Sequence, residues 1–128
     1  MARVTIAAGG LLLAAATLSA QDTAARQVTP SLIARGDSIF HGQIAGGTCF
    51  ACHGVQGSGI RGLTHELTSR KRLNGDGSYR SIVQIVQQGV AQPQQAIPMP
   101  PHGGAELTSL DVQAVAAYVY SLSHPRRD

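Results

Sequence analysis

The chain has only two cysteines, and both fall within TCFACHGVQG at 48–57, three positions apart, with a histidine directly after the second. They lie in its most glycine-rich stretch, with seven glycines between residues 42 and 62. Backbone this permissive settles into one shape only when something anchors it. Three chemistries put two thiols on so short a loop: a disulfide, a zinc site, or a haem bound through its side chains. The choice among them constrains the fold more than any other feature of the sequence.

A C-x-x-C disulfide of the redox type normally opens a helix after a strand, and no segment here has a convincing strand pattern. A structural zinc ion takes four ligands. Cys49, Cys52 and His53 offer three, and the imidazole is poorly placed to join two thiolates so near to it. In C-x-x-C-H the thiols instead add to the two vinyl groups of haem and the adjacent histidine binds iron. That reading uses all three residues and is the favoured one; a stable zinc site is not expected.

Residues 1–20, MARVTIAAGGLLLAAATLSA, have one early positive charge at Arg3, an apolar run and then small residues, the layout of a secretory signal peptide. The run is shorter than the roughly 20 apolar residues of a membrane-spanning helix. Cleavage is expected after Ala20, with Ala16 as the other site, giving a protein that is periplasmic or otherwise exported, and soluble. Residues 21–28 are polar and small, a flexible leader. The remaining sequence suffices for one small domain, 29–123, followed by a polar tail, 124–128. That domain has five aromatic residues and no tryptophan, thin filling for a core, which a large planar cofactor would relieve. The formal charge of +3 falls to +2 when Arg3 is removed. No concentrated basic face of the kind nucleic acid requires is visible. The one basic run, Arg70-Lys71-Arg72, reads as solvated surface.

Helix signals complete the reading. Thr29-Pro30 pairs a capping hydroxyl with proline at the first helical position, predicting a helix to about His41 with Leu32, Ile33, Gly36 and Phe40 near one face. A short helix is expected over Leu63–Arg72. Asn74-Gly75-Asp76-Gly77 is a turn, and Ser78 caps a helix that ends at Gly89, with Ile82, Ile85 and Val86 on one face. Residues 90–106, with four prolines and two glycines, form an irregular loop. Thr108 and Asp111 suit a capping box for a last helix that turns Val115, Tyr118, Val119 and Leu122 inward. The fold class is all-α, three to four helices with long loops.

Apart from the initiator there is one methionine, Met99, between prolines in IPMPP and 46 residues after His53. A thioether is a soft iron ligand, so Met99 is the candidate for the second axial position. His102 is its rival; His41, His65 and His124 read as surface or structural residues.

Taken together, CFACHG, the MPP segment between the last two helices and the terminal helices resemble a class I cytochrome c of the small exported bacterial type. The resemblance runs from about Pro30 to Leu122. It implies the cytochrome c fold packed around one covalent haem c, with Cys49 and Cys52 as thioether links and His53 and Met99 as axial iron ligands. It also implies a crossing of the first and last helices at Gly36 and Phe40 against Val115 and Tyr118. One departure is that members often have a proline shortly after the haem motif, where this chain reads Ile60-Arg61-Gly62-Leu63. Arg61 becomes a candidate contact for a haem propionate. The implied function is one-electron transfer between redox proteins, donor and acceptor, free or in membrane-bound complexes, and not catalysis. The other implied readings are a subunit fixed in a membrane oxidoreductase or photosynthetic complex, a haem-based sensor, and a peroxidase-like enzyme.

Overall fold

The computed structural model describes residues 26–71, 74–91 and 97–125. The expected signal peptide, most of the leader, Arg72 and the last three residues of the tail lie outside the described residues. The described residues form four α-helices and one 3-10 turn: α1 (Pro30–Phe40), α2 (Cys49–His53), α3 (Tyr79–Gln88), the turn (Pro101–Gly104) and α4 (Ser109–Ser123). Among the described residues the only extended pairing is an isolated bridge between Val90 and Met99. No described helix is long and apolar enough to cross a membrane.

Each long helix starts on the hydroxyl that local chemistry predicts. Thr29 accepts from Leu32 N at 3.2 Å, and Ser78 accepts from Ser81 N at 3.1 Å, each satisfying a donor the helix cannot pair itself. Thr108 and Asp111 form a reciprocal capping box on α4. The short helix expected over Leu63–Arg72 is not formed. As far as Lys71 the segment is turns and bends. Non-local bonds win there: Leu67 N donates to Gly57 O at 2.6 Å, and the Thr64 hydroxyl reaches the carbonyl of Cys52. Arg70, expected to be solvated, donates from Nε to Ser123 O at 3.2 Å, over the end of α4.

Helix α4 is the centre of the packing. Val112, Ala114, Val115, Ala116, Ala117 and Val119 are all buried, a wider surface than one apolar stripe, because α1 and α3 both pack on it. Its alanines let neighbours come close. Where α1 crosses it, a Cβ on Gly36 would overlap the carbonyl oxygen of Ala114, so this contact forms only with glycine. Gly36 thus meets Ala114, one residue before the expected Val115, together with the expected Tyr118. Next to it, the Phe40 and Tyr118 rings lie 5.1 Å apart at 55°, the expected aromatic pair.

Charge closes the same crossing at its other end. Arg35 donates from Nη2 and Nε to Asp111 Oδ1, at 2.6 and 3.1 Å, while Thr108 donates from its amide and hydroxyl to Oδ2, at 3.1 and 2.7 Å. Asp111 is buried, so these four bonds replace its hydration. The Thr108 hydroxyl foremost, and then Arg35, hold its carboxyl below the usual carboxylate range. A carboxylate with a depressed native pKa stabilises the fold above its unfolded value and loses that contribution as the pH falls through the native one. Asp111→Ala should therefore cost about 2 kcal/mol at neutral pH, since Arg35 is left partly hydrated. In denaturant titrations the gap between variant and wild type should close as the pH drops below about 3.8.

Candidate functional site

Where α1, α3 and α4 meet the loops, their packing leaves a cleft of about 1260 Å³, its open mouth included. Phe40 of α1, Ile82, Ile85 and Val86 of α3, and Val115 and Val119 of α4 supply its walls, which are almost wholly apolar. Elsewhere the interior is modest: Phe40 and Ile39 are the largest side chains that are fully buried. A concave, apolar-lined cleft with a few polar groups at its rim is the form that cofactor sites take.

Both cysteines and His53 line the cleft, and Met99 lines it from a different part of the chain. Helix α2 is a single short turn whose first, fourth and fifth residues are Cys49, Cys52 and His53. Both thiols are free of each other, Cys49 half-buried and Cys52 exposed, and burial pushes the Cys49 thiol up. Among the described residues no three histidine, cysteine or acidic side chains converge to hold a metal ion by themselves. The donors here are instead spread along an apolar wall.

Met99 is fixed by its backbone. Its amide donates to Val90 O at 3.1 Å and its carbonyl accepts from Val90 N at 2.8 Å, tying the IPMPP segment to the residue just past α3. The link depends on Gly89, which ends α3 at φ 70° and lies so close that a Cβ would overlap Met99 O. The periodicity of the sequence carries no sign of this pairing. The Gly89-Val90 step after α3 is the only cue, and it reads equally well as an ordinary helix stop. His102, the rival ligand, does not line the cleft; it borders a smaller cavity of about 430 Å³, measured the same way, with Val83, Gln87 and Leu107.

Two polar features depart from expectation. Arg61 is exposed and does not line the cleft; Thr64, His65, Glu66 and Asn74 supply the polar part of its rim. His65, read from sequence as surface or structural, is therefore part of the site, and only the fold reveals it. Where the family proline is missing, the 60–64 turn is held by a hydroxyl. Thr64 accepts from Ile60 N at 2.8 Å and donates to Cys52 O, while its own amide bonds Ile60 O at 3.0 Å.

The donor set fits haem: two thiols and an imidazole on one short helix, a thioether on a braced loop, and an apolar cleft that all four line. The family model for cytochrome c matches residues 33–123. Comparison with curated proteins and with solved structures gave no match.

If Thr64 is the brace between the two loops, Thr64→Val should leave the Cys52 carbonyl and the Ile60 amide short of a partner. Denaturant titration should then show a loss of about 1–2 kcal/mol, with Thr64→Ser close to wild type.

Proposed function

The chain belongs to the cytochrome c family, a family of electron carriers that bind covalently attached haem c, and from that premise we propose that it is an exported, periplasmic monohaem carrier of single electrons. Cys49 and Cys52 would hold the haem as thioethers, and His53 and Met99 would fill the two axial positions of its iron. Bound haem supplies a ferric/ferrous couple that takes up and releases one electron. The observation that carries this reading is the single apolar cleft lined together by Cys49, Cys52, His53 and Met99.

Each part of the chain then has a defined task. With both axial positions taken by side chains, no site is left for a substrate, which favours a carrier over a sensor or a peroxidase-like enzyme. The aliphatic wall from α3 and α4 keeps water from the site. Pro98 and Pro100 restrict the backbone on either side of Met99, and the Val90 bridge fixes its position, so little ordering is lost when its sulfur binds. A rigid ligand frame suits electron transfer, because little has to move when the charge changes. The residues that begin with the signal-like segment 1–20 support export, the compartment in which such a carrier would meet its redox partners.

Met99→Ala tests the ligand pair. Wild-type protein should show the weak far-red absorption of sulfur-ligated ferric haem and resist carbon monoxide when reduced. The variant should lose that band, bind carbon monoxide and have a lower reduction potential, while His102→Ala leaves all three unchanged. The reverse pattern would assign the position to His102.

A further inference from the structure

We propose that His41 is a positioning residue that holds the segment following Cys52 and His53 against the first helix, and that it does so only as a doubly protonated imidazolium. The geometry is specific. Its Nδ1 lies 2.9 Å from the carbonyl oxygen of Asp37, one turn back on α1, and its Nε2 lies 2.7 Å from the carbonyl oxygen of Val55. Carbonyl oxygens only accept. A neutral imidazole has one N–H, so one of these contacts would bring two lone pairs together. Both bonds form at once only when both ring nitrogens have a proton.

Its surroundings favour that form. The Asp37 carboxylate stands 2.8 Å from Nδ1, and the ring sits at the C-terminal end of α1, where the helix dipole attracts positive charge. The bond to Val55 foremost raises the pKa of His41, with Asp37 adding to it against the opposing effect of burial. The ring of Tyr118 of α4 lies 5.8 Å away at 71°; its phenol is pushed up by burial and then by Asp37, so it stays neutral beside the imidazole. From the cysteine-bearing helix comes only Phe50, an uncharged ring stacked at 6.4 Å and 21°.

The contacts place His41 between three parts of the fold. It belongs to the end of α1, touches Tyr118 of α4, and grips α2 on both sides, through Phe50 inside the helix and Val55 just beyond it. The Val55 carbonyl is two residues past His53, in a stretch held further on by the bonds from Gly59 N to His53 O, 2.8 Å, and from Leu67 N to Gly57 O, 2.6 Å. Loss of one proton from His41 removes one end of the clamp and frees this stretch from the helical core. The clamp consists of this chain's own atoms; its bearing on electron transfer rests on the function proposed above.

Nitrogen-detected NMR of the His41 ring in the holoprotein, followed against pH, tests the protonation directly. Both ring nitrogens should carry protons at pH 6 and below, with deprotonation only above about 6.5, the ordinary value. A native pKa above the unfolded one means that the contribution is complete below the unfolded value and fades as the pH rises through the native one. Accordingly the exchange protection of the Gly59 amide, corrected for intrinsic rates, should fall roughly tenfold across that deprotonation. In His41→Gln the protection should already be low and should not change over the same interval. A ring that loses its second proton below about 6.5, or protection that stays constant as the ring titrates, would overturn the proposal. If His41→Gln does not fold, the wild-type ring and amide titrations decide the question alone.

Discussion

The close approach of α1 to α4 at Gly36 and Ala114 sets the rest of the structure. A chain with five aromatic residues and no tryptophan cannot build a thick core. It gains density by letting two backbones touch, and it fixes their angle with the Arg35–Asp111 pair at one end and the Phe40–Tyr118 pair at the other. Once the two helices are set in this way, Phe40, Val115 and Val119 present a common apolar surface toward the loops. Helix α3 supplies the rest of the wall. The cleft results from this arrangement, since the side chains are too small and too few to close it.

The functional groups reach the cleft on segments that have little stability of their own. Helix α2 is five residues long, far too short to persist alone, and Met99 lies in a loop rich in proline. Both depend on being tied to the helical frame. Thr64 and His41 bind the segment that holds the cysteines, and Val90 binds the one that holds Met99. The ties are polar and made largely to backbone carbonyls, and they lie around the edge of an apolar site. This division keeps the lining dry while fixing the atoms that must not move. Under the proposed function, it also provides the rigid ligand frame that fast electron exchange requires.

Much of the fold can be read locally. Thr29, Ser78 and Thr108 announce three helix starts because a hydroxyl before an apolar periodic run satisfies the first free amides, and Gly89 marks a stop for the converse reason. Gly36 and Phe40 at helical spacing point to the crossing, where Gly36 meets the expected Tyr118 and, one residue from the expected Val115, Ala114. The cysteine-histidine motif marks its own chemistry. What sequence does not reveal comes from bonds between distant residues. The expected helix over 63–72 gives way to bonds from Leu67 to Gly57 and from Thr64 to Cys52. The place of His65 on the cleft rim and the Val90 anchor of Met99 likewise depend on how separate segments meet. No periodicity records such meetings.

Under the proposed function the two thiols of α2 belong to a haem in the cleft. Mass analysis of the peptide spanning residues 48–57, released from native protein under acidic denaturing conditions, tests this most directly. It should carry the mass of one haem, with Cys49 and Cys52 both unavailable to alkylating reagent and no haem lost on extraction. Recovery of the bare peptide with two free thiols, or with a disulfide between them, would contradict the account.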